Sequence, residues 1–287
     1  MILPRFELLE PTSVKEACEV LKSNDSVRVI AGGTDLLVNM KKKILTADVL
    51  VSLDKIKGLN EISYEEKSGL SVGPMVRIAD LAASTVVQQH YPALALAAGK
   101  LGSPQIRNRA TLGGNICSAR PAADTIGPLI GYGAVVRISG PGEDREVPVE
   151  NFFKGPGQTN LGKGEFLSAI TAGAPDADSR ASYIKHGIRR SMEISLVNVT
   201  SVLSMDNGTC SSARLVLGAV APTFIRCPVT EGFLAGKAIS EDVAEQAGHM
   251  AVDICTPITD IRASADYRRQ LVRVLVKRCL LQAVEAN

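Results

Sequence analysis

Residues 29–37 read VIAGGTDLL and residues 110–125 read ATLGGNICSARPAADT. Each places a Gly-Gly pair where an apolar run stops, with Thr34 after the first pair and Thr111 and Asn115 around the second. Glycine lets a chain turn tightly and present successive N–H groups to one anion. The β-branched run 27–31 (VRVIA) reads as a strand and 34–43 (TDLLVNMKKK) as a helix with Thr34 at its N-cap. The positive end of that helix would add to the attraction for phosphate. Two nests approaching one ligand suit a pyrophosphate better than a single phosphate. Spacing alone leaves another reading open, that of two tight turns in a glycine-rich chain. Without GxxxxGK[ST] a P-loop is excluded, and without GxGxxG after a strand a Rossmann site is disfavoured.

Around these stretches the N-terminal third reads as a small α/β unit. Residues 12–22 (TSVKEACEVLK) form a capped amphipathic helix, and strands follow at 49–53, 61–65 and 69–72. Residues 78–99 are Ala- and Leu-rich with helical period, 101–115 irregular, and 122–133 helical again. A hairpin of 134–139 with 145–149 turns at Gly140-Pro141-Gly142, and a strand at 166–171 follows a turn-dense region. The texture changes at 172–180 (AGAPDADSR), which divides a first domain, 1–175 with subdomains of about 1–55 and 56–175, from a second, 180–287. In the second, strands are expected at 182–189, 194–205 and 212–220, the last two joined by Asp206-Asn207-Gly208, a hairpin signal. Helices end the chain, the last over 264–286, its Arg and Lys residues read as a solvated face. The fold class is therefore α+β.

Composition narrows the function. The chain has 287 residues, 45% hydrophobic and 22% charged, with a net charge of +2, so bulk electrostatics suggests no nucleic-acid partner. Its apolar runs fall far short of the roughly 18 residues of a membrane span. The N-terminus shows no apolar signal region, which makes the cytoplasm the expected location. Six cysteines are scattered without a CxxC pair and three histidines without ligand spacing, so no metal site is expected on this chain. Asp124, nine residues past Asn115, fits either a sugar or ribityl hydroxyl contact or a simple helix cap.

AGGTDLL at 31–37, GSPQIRNRATLGGNI at 102–116 and Asp124 together resemble the FAD-binding (medium) subunit of the molybdenum hydroxylases, a family that includes xanthine, carbon monoxide, nicotinate and quinoline dehydrogenases. ARLVLGAVAPTFIRC at 213–227 and YRRQLVRVLVKRCLLQA at 267–283 are similar to its C-terminal domain, so the resemblance spans nearly the whole chain. It implies an FAD-binding domain of the vanillyl-alcohol-oxidase (PCMH) type in two α/β subdomains, followed by a domain of antiparallel strands plus helices. It further implies that Ile30, Ala31, Gly32, Gly33, Thr34, Asp35 and Leu36, with Thr111, Gly113, Gly114 and Asn115, hold the pyrophosphate and its neighbours. Asp124 would hold a sugar or ribityl hydroxyl, Phe166 or Leu167 would pack on the flavin, and Lys185 would lie near the ring. Ile194 would cover part of the isoalloxazine. Read from pattern alone, Lys185 is a solvated strand residue and Ile194 a strand core residue. Some relatives carry an aromatic residue at the position of Leu101 and Tyr at that of Ile194. This chain also lacks the Cys-rich insertion of the branch that reduces benzoyl-type thioesters.

By the same resemblance, the iron–sulfur clusters and the molybdenum cofactor reside on small and large partner subunits. FAD here would relay electrons to NAD or another acceptor in a dimer of heterotrimers. Two rival readings remain at this point, a stand-alone flavin oxidase and a nucleotide-binding scaffold without redox chemistry.

Overall fold

The computed structural model describes residues 2–285 except 24 and 190. Three units of sheet and helix follow one another along the chain. In the first, β1 (Glu7–Leu9), β2 (Val27–Ile30) and β3 (Val49–Ser52) form a parallel sheet of order β1-β3-β2. Helix α1 (Val14–Ser23) crosses between β1 and β2. The Ser13 hydroxyl accepts from the Glu16 amide, and the Glu16 carboxylate accepts from the Thr12 amide, so the helix starts where the sequence places it. It buries Ala17, Cys18 and Leu21. Helix α2 (Leu36–Lys41) crosses between β2 and β3.

The second unit is an antiparallel sheet of order β4-β5-β10-β6-β7. Its strands are β4 (Ile62–Glu65), β5 (Gly69–Val72), β6 (Val135–Ser139), β7 (Arg145–Pro148) and β10 (Phe166–Ala172), with a ribbon of β8 (Phe153–Gly155) and β9 (Gln158–Thr159) between the last two. Residues 78–99, expected as one helical stretch, are α3 (Ile78–Ala83), α4 (Thr85–His90) and α5 (Pro92–Lys100). Ser84 is extended and its hydroxyl caps α4 by accepting from the Val87 amide; Pro92 can only begin a helix. The stretch 101–115, expected to be irregular, contains α6 (Pro104–Arg107) and begins α7 (Leu112–Cys117). Ser103 and Thr111 cap them by accepting from Ile106 and Gly114. The helix expected at 122–133 shrinks to α8 (Ile126–Gly131), because residues 119–125 form a loop held by the rest of the molecule.

The third unit is the sheet β11 (Ser179–His186), β12 (Val197–Asp206), β13 (Thr209–Gly218) and β14 (Ile225–Arg226), covered by α9 (Pro228–Leu234), α10 (Glu241–Val252) and α11 (Ala265–Glu285). Ala286, where the last helix was expected to end, lies outside the described residues. Asn207 and Gly208 both have positive φ, as a two-residue turn between right-twisted strands requires. Strand β12 begins at Val197, so Ile194 lies in the preceding segment and outside the sheet.

One face of β12, with Val197, Val199 and Leu203, packs into the core beneath α10 and α11. The other face meets α8 of the second unit, where Gly127 and Gly131 lie against Thr200 and Val202 so closely that a Cβ would come within 2.9 Å of each. The central strand is thus buried on both faces. The third unit packs directly on the unit that carries the second Gly-Gly pair.

Candidate functional site

Between the first two units lies a cavity of about 470 Å³, within the roughly 300–1,000 Å³ of small-molecule sites. Its wall brings together Ala31, Gly32, Gly33, Thr34, Asp35, Leu36, Leu101, Thr111, Gly113, Gly114, Asn115, Phe166 and Leu167. Segments some eighty residues apart therefore meet at one site.

The two Gly-Gly pairs do different work there. Helix α2 starts at Leu36, not at Thr34, and Asp35 occupies its N-cap position without a side-chain cap bond. Gly33 has φ +72°, which turns the chain out of β2. The amides of Gly32, Gly33, Thr34 and Asp35 donate to nothing among the described residues. Four successive open N–H groups beside a cavity form an anion nest. The second pair, expected to be another nest, is the first turn of α7. There Leu112 donates to the Val76 carbonyl, Gly113 to the Pro74 carbonyl and Gly114 to the Thr111 hydroxyl, while Asn115 donates to the Thr111 carbonyl. Those four amides are consumed by the fold. What the second segment offers the cavity is side chains. Asn115 Oδ1 accepts from the Thr125 hydroxyl at 2.7 Å, which leaves its amide nitrogen as the free donor.

Apolar residues line the other side, with Leu53, Ile106 and Leu161 beside Leu101, Phe166 and Leu167. The Arg107 guanidinium fixes the Leu101 backbone by donating to its carbonyl at 2.9 Å. Glu165 also lines the cavity, but Arg145 grips its carboxylate at 3.0 and 2.7 Å and holds its pKa down, so the charge is compensated. Cys117 reaches the wall, and burial pushes its thiol up to about 12. It therefore stays protonated and a poor nucleophile near neutral pH.

Ser118 and Arg120 line the cavity too, and the sequence reading passed over both. Arg120 is exposed and makes no side-chain hydrogen bond or ion pair among the described residues. Ala119, in the left-handed region at φ +47°, ends α7 just before it. Both residues stand inside the quoted stretch 110–125, where the i, i+3/i+4 relation to Gly114 and Asn115 could have found Ser118.

Four expected site residues lie outside the cavity wall. Ile30 turns into the cluster of Met40, Ala47 and Leu50 beneath the loop, as the alternation of β2 requires. Ile194 is 56% exposed on the segment before β12. Asp124 and Lys185 lie behind the wall, at the seam with the third unit. Asp124 does not cap α8, whose N-cap residue is Thr125. Its carboxylate stands 3.0 Å from Lys185 Nζ, with side chains only 7% and 8% exposed. Burial raises the Asp124 pKa, opposed by the Lys185 charge and by the Tyr183 hydroxyl, which donates to Oδ1 at 2.7 Å. Lys185 is thus no solvated strand residue.

A wall with open amides on one side and aliphatic and aromatic groups on the other fits a ligand that is anionic at one end and apolar at the other, as FAD is. Comparison with known proteins agrees. Residues 4–172 match the family described as the FAD binding domain in molybdopterin dehydrogenase, and 182–283 match the CO dehydrogenase flavoprotein C-terminal domain. The xanthine dehydrogenase FAD-binding subunit of Escherichia coli O157:H7 is 30% identical over 275 residues, 96% of this chain and 94% of that one. Among solved structures, a carbon monoxide dehydrogenase chain from Hydrogenophaga pseudoflava superposes with a TM-score of 0.95 at 34% identity, covering 99% of both chains. A chain of quinoline 2-oxidoreductase from Pseudomonas putida 86 gives 0.94 at 30%, again with 99% of both. The chain belongs to the FAD-binding subunits of the molybdenum hydroxylases, a family of oxidoreductases.

Proposed function

We propose that this chain binds one FAD non-covalently and works as the electron-transfer subunit of a molybdenum hydroxylase complex. It would take electrons from iron–sulfur clusters on a small partner and pass them to NAD or another acceptor. A large partner would carry the molybdenum cofactor, in a dimer of heterotrimers. The observation that carries this reading is the nest of four open amides at Gly32–Asp35 on the edge of a cavity with an aliphatic wall. When bound, the FAD would supply the hydride and electron-transfer chemistry. The chain's own residues bind and orient it.

Amides 32–35 would take the pyrophosphate, with the Thr34 hydroxyl and the Asn115 amide nitrogen as further donors. Leu101, Phe166 and Leu167 would exclude water from the ring, in place of the aromatic stacking that some relatives have. The neutral Cys117 thiol disfavours a covalent flavin link. No helix among the described residues is long and apolar enough to cross a membrane, which fits the cytoplasmic location proposed here.

The test is purification from the native host under mild conditions. Iron- and molybdenum-containing chains should co-purify with a yellow protein. Acid precipitation should then release FAD to the supernatant. Colour retained in the pellet refutes the non-covalent claim; a yellow chain that never associates with metal-containing partners refutes the subunit reading.

A further inference from the structure

The ion pair behind the wall joins two units of the fold. Asp124 comes from the loop between α7 and α8, while Tyr183 and Lys185 alternate along β11 and so share one face of that strand. Lys185 Nζ lies 3.0 Å from both carboxylate oxygens and donates as well to the Lys100 carbonyl at 3.3 Å. Lys100 directly precedes Leu101 of the cavity wall. The ammonium therefore lies directly behind that part of the wall, and the net charge there depends on Asp124.

A buried carboxylate stays ionised only when its lone pairs are served. Besides Lys185, the hydrogen bond it receives comes from the phenol of Tyr183, which is wholly buried. Across the strand pair, Thr200 stands opposite Tyr183 and Asn198 opposite Lys185, both buried and uncharged and neither hydrogen-bonded through its side chain among the described residues. Ser195 Oγ is buried and outside hydrogen-bond geometry, though near enough to favour the carboxylate. Lys100 Nζ stands 5.9 Å from the Tyr183 ring centroid. The Cys279 thiol, raised by burial, is neutral. Burial and the Asp124 charge also lift the Tyr183 phenol well above its ordinary value, so it remains a donor throughout the working pH range.

We propose that Tyr183 is the positioning residue of this pair: its hydroxyl keeps the Asp124 carboxylate charged and turned toward Lys185, and thereby sets the net charge at the Lys100–Leu101 edge of the cofactor cavity. The inference rests on the FAD reading above. With Asp124 ionised the pair is neutral overall. With Asp124 protonated, Lys185 presents an unbalanced positive charge, which favours the reduced, more anionic flavin. Removing a neutral hydroxyl should then raise the flavin potential, through a residue that does not line the cavity.

Tyr183→Phe keeps the ring in its apolar setting of Ala93, Ala97 and Ala181 and deletes only the donor. Two readouts are needed. In the full chain stripped of FAD, 13C NMR follows the Asp124 carboxyl, assigned with Asp124→Asn. Its titration midpoint should rise by about one pH unit or more in Tyr183→Phe. In the FAD-loaded complex, the midpoint potential is followed from pH 5 to 9. Tyr183→Phe should lie above wild type over the window between the two Asp124 midpoints, and Asp124→Asn above wild type at every pH where the wild-type Asp124 is ionised.

An unchanged Asp124 titration overturns the proposal. So does a shifted titration with an unchanged potential in a chain that holds FAD. If the wild-type chain holds no FAD, it is the FAD reading that fails, and the carboxyl titration still decides what Tyr183 does to Asp124. Should Tyr183→Phe not fold, 3-fluorotyrosine at position 183, a stronger donor of the same shape, should lower the Asp124 midpoint; no change there also overturns the proposal.

Discussion

The pairs Gly32-Gly33 and Gly113-Gly114 are alike on paper and unlike in space. The first leaves the amides of residues 32–35 open toward the cavity; the second spends the amides of residues 112–115 on Val76, Pro74 and Thr111. Yet each pair divides its labour in the same way. One glycine of each is a packing residue. A Cβ on Gly32 would stand 2.0 Å from the Arg109 carbonyl oxygen, and one on Gly113 would stand 2.5 Å from Pro74 Cβ and 2.8 Å from its carbonyl oxygen. The other glycine faces the cavity. A Cβ on Gly33 would have the side chains of Leu37 and Ile30 as its nearest neighbours, and one on Gly114 Thr111 Oγ1 and, at 4.0 Å, Ala31 Cβ. A Gly-Gly pair at a cofactor site can therefore contain one residue for the fold and one for the ligand.

The largest effect should come from the packing pair. Gly32→Ala and Gly113→Ala each drive a methyl into backbone or a proline ring that cannot swing away, so both should destabilise by about 3 kcal/mol or more. Urea denaturation of the chain without added FAD measures it. If both variants unfold near the wild-type midpoint, the close approaches are not part of the native fold and the comparison collapses.

The reasons why only part of this was legible are physical. Local signals held: the Ser13–Glu16 cap and the Asn207-Gly208 turn depend on residues within a few positions of one another. The breaks at Ser84 and Tyr91-Pro92 were also present as letters, but Ala and Leu on either side kept the helical period and masked them. Whether a Gly-Gly pair is a nest or a helix turn depends on what lies across from it. Pro74 and Val76, some forty residues earlier, decide that for Gly113 and Leu112. The Tyr183–Asp124–Lys185 cluster needs a strand from another unit, so no spacing in the chain announces it. The family resemblance pointed to Asp124 and Lys185 individually, and the structure brings them together.

A second, smaller effect separates the cavity-facing glycines. Gly33→Val and Gly114→Val should each weaken FAD binding by about 100-fold or more, roughly 2.7 kcal/mol, because a branched side chain enters ligand space. Their stabilities should differ. Gly33 sits at positive φ, where a β-branched residue costs roughly 1–2 kcal/mol, whereas Gly114 is helical and pays no such cost. Flavin fluorescence gives the affinity and thermal unfolding the stability. Wild-type affinity in Gly33→Val would remove the nest from the binding site.

The smallest effect is the most discriminating, and it lies in the two threonines. Thr111 Oγ1 accepts from the Gly114 amide at 3.1 Å and so caps α7. Its replacement by Ala removes the cap's acceptor and should cost about 1 kcal/mol of stability. FAD affinity should change little, since Thr111 is only 4% exposed and its hydroxyl sits against the first turn of α7. Thr34, read from the sequence as a helix cap, makes no side-chain hydrogen bond among the described residues, and α2 begins two residues later. Thr34→Ala should leave stability within about 0.5 kcal/mol of wild type, as for a surface change away from any structural contact. If the Thr34 hydroxyl completes the nest, the same variant should weaken FAD binding by a factor of about 3 to 10, the worth of one neutral hydrogen bond. The expected pattern is a crossing: Thr111→Ala loses stability and keeps affinity, while Thr34→Ala keeps stability and loses affinity. Paired unfolding and FAD-titration curves on the two variants measure both axes. If the two mutants behave alike on both, the division between a structural and a ligand-facing Gly-Gly segment is wrong, even if every glycine variant behaves as expected.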